Sequence, residues 1–335
     1  MATLSTNALT LADWAKRIDP DGRIPVIAEL LNQSNEILDD ALFMQGNLPT
    51  GHRVTVRTGL PAVYWRSLNQ GVPSGKSATA QVDEGVGMLE GYCRVDKDLA
   101  ELNGNDPAFI MSENSAFIES MNQTQAGTMF YGNPGTDPRQ YLGFGPRFSA
   151  ISGAGNAQNI LDAGGTSSNN TSIWLVGWGE NTVFCPFPKG SKAGLSNEDD
   201  GVLTVYDSSN NPYKARQIHY QWKNGLAVKD WRFVVRICNI NTANLVANTA
   251  AADLIALMSR ALDRIPVWGM VQRPAFYMNR TIYSMLRLQA LQKSNYALSI
   301  EKALNQFGEA KRWLEFQGVP LRRVDQLLNT EARVT

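Results

Sequence analysis

The stretch from Asn105 to Arg147 commits this chain to a long rod with a fixed end. Asp106 followed by Pro107 opens a helix: the Asp side chain accepts from an orphan amide, and Pro at the first helical position forfeits no hydrogen bond. Ile110, Phe117, Met121, Thr124 and Thr128 recur at helical spacing, with Glu113, Asn114, Glu119 and Gln123 on other faces. The helix is predicted to stop at Met129-Phe130-Tyr131-Gly132-Asn133-Pro134-Gly135, where glycine takes a left-handed cap and proline forbids continuation. About 25 residues rising roughly 1.5 Å each make a rod of roughly 37 Å. Such a rod serves as a strut. A tight aromatic segment, Gln140-Tyr141-Leu142-Gly143-Phe144-Gly145-Pro146-Arg147, follows it.

A chain of 335 residues has room for two domains, or for one body with large excursions. Its 43% hydrophobic and 19% charged residues are those of an ordinary soluble protein. Lys plus Arg (31) balance Asp plus Glu (31), which argues against a dedicated nucleic-acid binder and leaves no net charge opposing self-association. Cys93, Cys185 and Cys238 are widely separated and, with only His52 and His219 available, lack zinc-site spacing; they read as buried reduced thiols. The N-terminus lacks the pattern of a signal peptide, and no apolar run approaches a membrane span.

Residues 1–50 read as an arm with two helices. Thr10 and Asp13 open the first, Asp19-Pro20-Asp21-Gly22 breaks it, and a second from Pro25 lines up Ile27, Leu30, Leu31, Ile37 and Leu38. That stripe needs a partner, either the chain's own body or an adjacent subunit. In residues 51–95, His52, Val54 and Val56 alternate with Arg53, Thr55 and Arg57, and Ala78, Ala80 and Val82 alternate with Thr79, Gln81 and Asp83. Between them lies turn chemistry from Asn69 to Gly75. A two-stranded ribbon this long is marginal alone, so it is expected to lie on something.

Residues 149–170 form a Gly/Ala/Ser/Asn-rich tract that reads as a surface loop; Gly153-Ala154-Gly155 lacks the third glycine of a dinucleotide fingerprint. Ser172–Gly179 and Val228–Ile240 are the two strongest strand candidates. Further on come a helix at 251–262, a strand at 274–278, a helix capped by Asn279, a helix around Ser299–Gln306, and an extended Gly318-Val319-Pro320 segment.

Catalytic material is thin. There is no Gly-x-Ser-x-Gly and no phosphate loop, and two histidines offer little to a hydrolase. Asp39-Asp40 and Asp199-Asp200 are adjacent, so each pair points apart and reads as solvated. Arg322-Arg323 and Lys311-Arg312 read as intersubunit or solvated charges in preference to a DNA site.

The rod with its Phe-Tyr-Gly-Asn stop resembles the spine helix of tailed-phage major capsid proteins. The run TSIWLVGWGENTVFCPFPKGSKAGL, then GLAVKDWRFVVRI and NIN, resembles the middle of those of the epsilon-fifteen-like short-tailed phages. The resemblance implies an α+β, Hong Kong-type (Johnson) fold. Its parts would be an N-terminal arm (1–50), an extended β-hairpin loop (51–95), a peripheral domain with the spine helix (96–245, helix 106–131) and an axial domain with a C-terminal segment (246–335). GLAVKDWRFVVRI precedes the axial domain here and follows it in the family's reference arrangement, which implies a rearranged strand connection order. The implied task is structural: pentamers and hexamers closing an icosahedral virion shell around double-stranded DNA, without sequence-specific DNA binding, membrane or cofactor. Assembly in the host bacterial cytoplasm is implied, with portal, scaffold and decoration or cement proteins as partners. Ile27, Leu30, Leu31, Arg53, Arg57, Tyr64, Trp65, Arg322 and Arg323 are the implied intersubunit contacts. Some relatives cross-link through a lysine of the extended loop; Lys76 sits near the tip, but no supporting carboxylate motif accompanies it. The rival readings are an encapsulin-like compartment shell and a soluble enzyme of unknown chemistry.

Overall fold

The computed structural model describes residues 9, 31–101, 106–153, 155–207, 209–247, 252–292, 298–304 and 310–335. In chain order the elements begin with α1 (Ile37–Asp40), β1 (Phe43–Gln45), β2 (Gly51–Gly59), β3 (Ala78–Asp96), α2 (Lys97–Ala100), α3 (Asp106–Tyr131) and α4 (Phe144–Arg147). The middle holds β4 (Ile160–Asp162), β5 (Asn170–Trp178), β6 (Val183–Phe187), β7 (Leu195–Tyr206), β8 (Pro212–Gly225), β9 (Ala227–Val228) and β10 (Val234–Asn241). Then follow α5 (Thr242–Ala247), α6 (Leu254–Asp263), β11 (Arg273–Met278), α7 (Arg280–Gln292), β12 (Leu298–Leu304), β13 (Ala310–Phe316) and β14 (Val319–Arg323). They divide into two compact units: Met1–Gln33, Met88–Gln125 and Gly194–Lys223; and Ser34–Gly87, Ala126–Ala193 and Asn224–Thr335.

The larger unit is built on β5, every residue of which is buried. It lies antiparallel to β10 on one side and to β11 on the other, so that Trp174 faces both Arg236 and Tyr277 across the ladder. The sheet continues in the order β1-β6-β5-β11-β14-β13-β12, with β4 beyond β10. Alternation sends Trp174, Val176 and Trp178 to one face, where Ala126, Met129 and Phe130 from the end of α3 meet them. The rings of Phe130, Phe144 and Phe148 surround Trp174 at 5.7–6.1 Å between centroids. Ile173 and Leu175 turn the other way, into a core with Leu254 and Met258 of α6, Ile282 and Leu286 of α7, and Phe316. Each of these helices is capped from the side chain before it: Asp253 accepts from the Ala256 amide and Asn279 from the Ile282 amide, both at 3.0 Å.

One buried cation holds the C-terminal segment to this sheet. Arg236 donates to Glu331 (2.9 Å) and to the Phe148 carbonyl (2.8 Å), and its guanidinium lies 4.9 Å from the centre of the Trp174 ring. Glu331 accepts in turn from Ser172 and from the Tyr131 hydroxyl. Asn239 sits at a bulge with a left-handed backbone (φ 57°), and its side chain bonds both the amide and the carbonyl of Val334.

In the smaller unit, Ile110 and Met121 of α3 pack on Cys93 and Val95 of β3 and on Ile218 and Tyr220 of β8. Phe117 stacks on Tyr220 at 5.9 Å. β7 and β8 form a long antiparallel hairpin.

Several sequence expectations are corrected. The rod spans Asp106–Tyr131 as expected, but Thr124 is exposed and the buried positions at its end are Met121, Gln125, Ala126, Met129 and Phe130. Its stop uses no left-handed glycine: Gly132 has no positive φ. Glycine is required there by closeness, because a Cβ on Gly132 would lie 2.5 Å from the Tyr141 carbonyl oxygen, and one on Gly143 would lie 2.7 Å from that of Thr128. The second arm helix does not run unbroken to Leu38: residues 32–34 have no regular structure, and among the described residues of the arm the helical ones are Ile37–Asp40. The expected helix at 10–18 lies outside the described residues. Ser299 to Leu304 belong to a strand, paired along its length with β13, a case of sheet pairing overriding local propensity. The glycine-rich tract is not all loop: Ile160–Asp162 adds a parallel strand to the edge of β10. The candidate strand Val228–Ile240 is interrupted at Asp230, whose carboxylate accepts from the Arg232 amide and starts a short helical turn.

Replacing Gly132 or Gly143 by alanine is expected to cost about 1–3 kcal/mol through forced backbone displacement, seen as a lower urea midpoint of the purified subunit. Glu331→Ala leaves Arg236 buried and unpaired and is expected to cost about 3–5 kcal/mol in the same measurement.

Candidate functional site

The β2–β3 ribbon is held firmly at its base and left bare at its tip. Gly51 lets the base close, since any Cβ there would collide with the Glu84 carbonyl oxygen. Glu84 and Arg147 form a buried two-pronged ion pair at 2.6 and 2.7 Å, and Arg147 also donates to the carbonyls of Leu142 and Leu226. The register pairs Arg53 with Asp83 and Val54 with Val82. The Arg53 guanidinium, in an exposed pair, holds the Asp83 carboxyl below the usual range. Asn47 fixes the strand from outside, accepting from the Arg53 amide at 2.7 Å and donating to its carbonyl at 2.9 Å.

Beyond Gly59 regular structure ceases until Ala78, and residues 60–77 are all exposed. Leu60, Val63, Trp65 and Leu68 are 81–104% exposed and Tyr64 55%. Asn69 turns the tip in the left-handed region (φ 63°), and Arg66 donates to the Gln70 carbonyl. A run of large apolar side chains this bare marks an interaction surface.

The sequence-nominated contact residues separate into three groups. Arg53, Arg57, Tyr64 and Trp65 lie on the ribbon, Arg57 and both aromatics exposed. Leu31 is 80% exposed, while Ile27 and Leu30 lie outside the described residues. Arg322 and Arg323 are engaged within the chain: Arg322 grips Asp40 through two bonds of 2.9 Å, and Arg323 grips Asp325 at 2.6 and 2.7 Å. The expectation that Asp40 is solvated is therefore corrected; it is buried and also accepts from the Tyr277 hydroxyl, which accepts from Trp178. Burial raises the Asp40 carboxyl above its ordinary range, with Arg322 and Tyr277 opposing. The apolar residues Leu60, Val63 and Leu68 were not singled out from the sequence, although their position in a turn-rich loop was a usable signal.

The chemistry available is meagre. The three cysteines are buried and form no disulfide; burial pushes the Cys238 thiol up to about 12 and the Cys185 thiol up as well. Among the described residues no group of His, Cys, Asp and Glu could hold a metal ion, and no helix is long and apolar enough to cross a membrane. Burial, then repulsion from Lys229, lowers the His52 imidazole.

A buried, fully paired sheet carrying an uncovered apolar ribbon is the form of a structural subunit. Residues 19–335 match the family described as Major capsid protein GP7. A chain in the structure of bacteriophage Epsilon15 is 32% identical, with a TM-score of 0.77, covering 100% of this chain and 99% of that one. The bacteriophage JBD30 capsid (9% identity, TM-score 0.48, 92% of this chain and 99% of that one) and a native GTA particle capsid (11%, 0.46, 70% and 99%) are more distant. A search of the curated proteins returned no match. The chain belongs to the major capsid protein family of tailed phages and has its Hong Kong-type fold. Its role is structural, and its place is the virion.

Arg147→Met strands Glu84 at the ribbon's base. The expected result is a loss of about 3–5 kcal/mol and faster proteolytic cutting between residues 51 and 87 in the isolated subunit.

Proposed function

We propose that copies of this chain join laterally as pentamers and hexamers that close an icosahedral shell around double-stranded DNA. The arm at 1–50, the extended loop at 51–95, the peripheral part at 96–245 and the axial part at 246–335 divide the work. Lateral binding falls to Ile27, Leu30 and Leu31 on the arm and to Arg53, Arg57, Tyr64 and Trp65 on the ribbon. Arg322 and Arg323 support it indirectly by fixing residues 36–40 and 325. Assembly takes place in the bacterial cytoplasm, with a portal protein at one vertex and scaffold and decoration proteins as further partners.

The observation that carries this reading is the bare ribbon tip. Covering its five large apolar side chains is worth on the order of 10 kcal/mol before the cost of ordering is subtracted. Obligate interfaces commonly bury ~2,000 Å² or more, which a ribbon laid across a neighbour can supply. Formal charge balance suits a container that must hold DNA without gripping it.

The test is deletion of residues 62–73, with Trp65→Glu as a milder variant. Both are expected to yield folded subunits or small oligomers in place of closed particles by sedimentation and electron microscopy. Normal particles from both variants would overturn the proposal.

A further inference from the structure

β2 and β7 are the terminal strands of their sheet, whose order is β2-β3-β8-β7, and their charges are opposite. β2 carries His52, Arg53 and Arg57; β7 carries Glu198, Asp199 and Asp200 in succession. Alongside β2 runs a groove of about 640 Å³, lined by residues 52–57 without a gap and, across from them, by Asn181 and Lys229 to Arg232. Since successive strand residues point to opposite faces, a lining that includes all six follows the strand's edge and not one face. Six residues of strand extend about 20 Å, the run of one short partner strand.

Among the described residues, the edge is open from Thr55 onward, and occupied before it by Leu48 at Gly51 and by Asn47 at Arg53. Asn47 occupies the amide and carbonyl of Arg53 from outside the sheet. Ladder alternation therefore turns the amides and carbonyls of Thr55 and Arg57 outward too, away from β3. Among the described residues, neither Arg57 nor Lys229 meets a carboxylate: Lys229 rests 5.3 Å above the Phe184 ring, while Arg53 and Arg232 are matched by Asp83 and Asp230. The groove thus offers unpaired backbone groups and two uncompensated cations. It calls for an extended, acidic segment.

On β7, Glu198 is exposed, Asp199 shares Arg216 at 2.9 Å, and Asp200 accepts from Gln217 at 2.6 Å, so the stretch keeps a net negative charge. Among the described residues, β7 pairs with β8 along one edge only. We infer that the β2 edge receives the β7 strand of a second copy, with its Glu198–Asp200 carboxylates beside Arg57 and Lys229, making one sheet across the subunit boundary. Backbone bonding supplies the adhesion and the opposite charges select the partner edge and its position. Repeated from copy to copy, this head-to-tail pairing also covers two edges that would otherwise invite disordered aggregation.

The inference rests on the reading of the chain as a self-assembling shell subunit, and the test separates the two. Full-length chain is expressed as wild type, Arg57→Glu, Glu198→Lys and the double variant, and particles are counted by sedimentation and microscopy. Each single reversal is expected to cut particle yield about ten-fold, and the double to restore it to within about two-fold of wild type. Independently, chain carrying Thr55→Cys and Glu198→Cys is expected to form chain-to-chain disulfides in assembled particles, while either single substitution does not; the native thiols are buried. Particles that form normally with both reversals and give no such cross-link would overturn the edge pairing alone. A cross-link from Thr55→Cys to a thiol placed in the N-terminal arm, and none to position 198, would overturn it as well. Failure of wild-type chain to make particles would remove the shell reading and this inference with it.

Discussion

The architecture of the larger unit depends on a strand with no solvent face. β5 is sealed by β10 and β11 along its edges and by aromatic and aliphatic layers above and below. A strand so enclosed can satisfy its backbone only through ladder bonds, so the position of each neighbour is dictated by register. The buried cation beside it, Arg236, is tolerated because Glu331, Ser172, the Phe148 carbonyl and the Trp174 ring surround it. That requirement for full pairing ties the end of the chain to the middle and, through Tyr131, to the last turn of the long helix.

The same logic explains why the ribbon combines a rigid root with a bare tip. A buried Glu84–Arg147 pair tolerates little play, so the root holds a defined direction. The tip, which has no core of its own, keeps Trp65 and its neighbours in water until another surface covers them. Under the proposed lateral assembly that division is useful: the direction of the excursion is set within each copy, and the energy of covering it would be released between copies.

The rod's ends, the two alternating strands around Val54 and Val82, the strand at β5 and the Asn279 cap were all legible in the sequence, because each follows from local periodicity or capping chemistry. Other features were hidden from it. Ser299–Leu304 reads locally as helix yet finds a ladder with residues 310–316. Asp40 reads as a solvated acid and becomes buried because Arg322, far along the chain, comes to it. Gly132 reads as a left-handed cap, whereas its role is to let two carbonyl oxygens approach. In all three, the deciding neighbour is distant in sequence.

By itself the sequence determined what each segment is able to form, since propensity, periodicity and turn chemistry act over a few residues. It also carried the family through runs such as TSIWLVGWGENTVFCPFPKGSKAGL. Only the tertiary structure decided which charges are shared within the chain and which are left facing outward, as with Arg322 on one side and Arg57 on the other. Pairing depends on distances of a few ångströms between residues far apart in sequence, and those distances exist only once the sheet has closed.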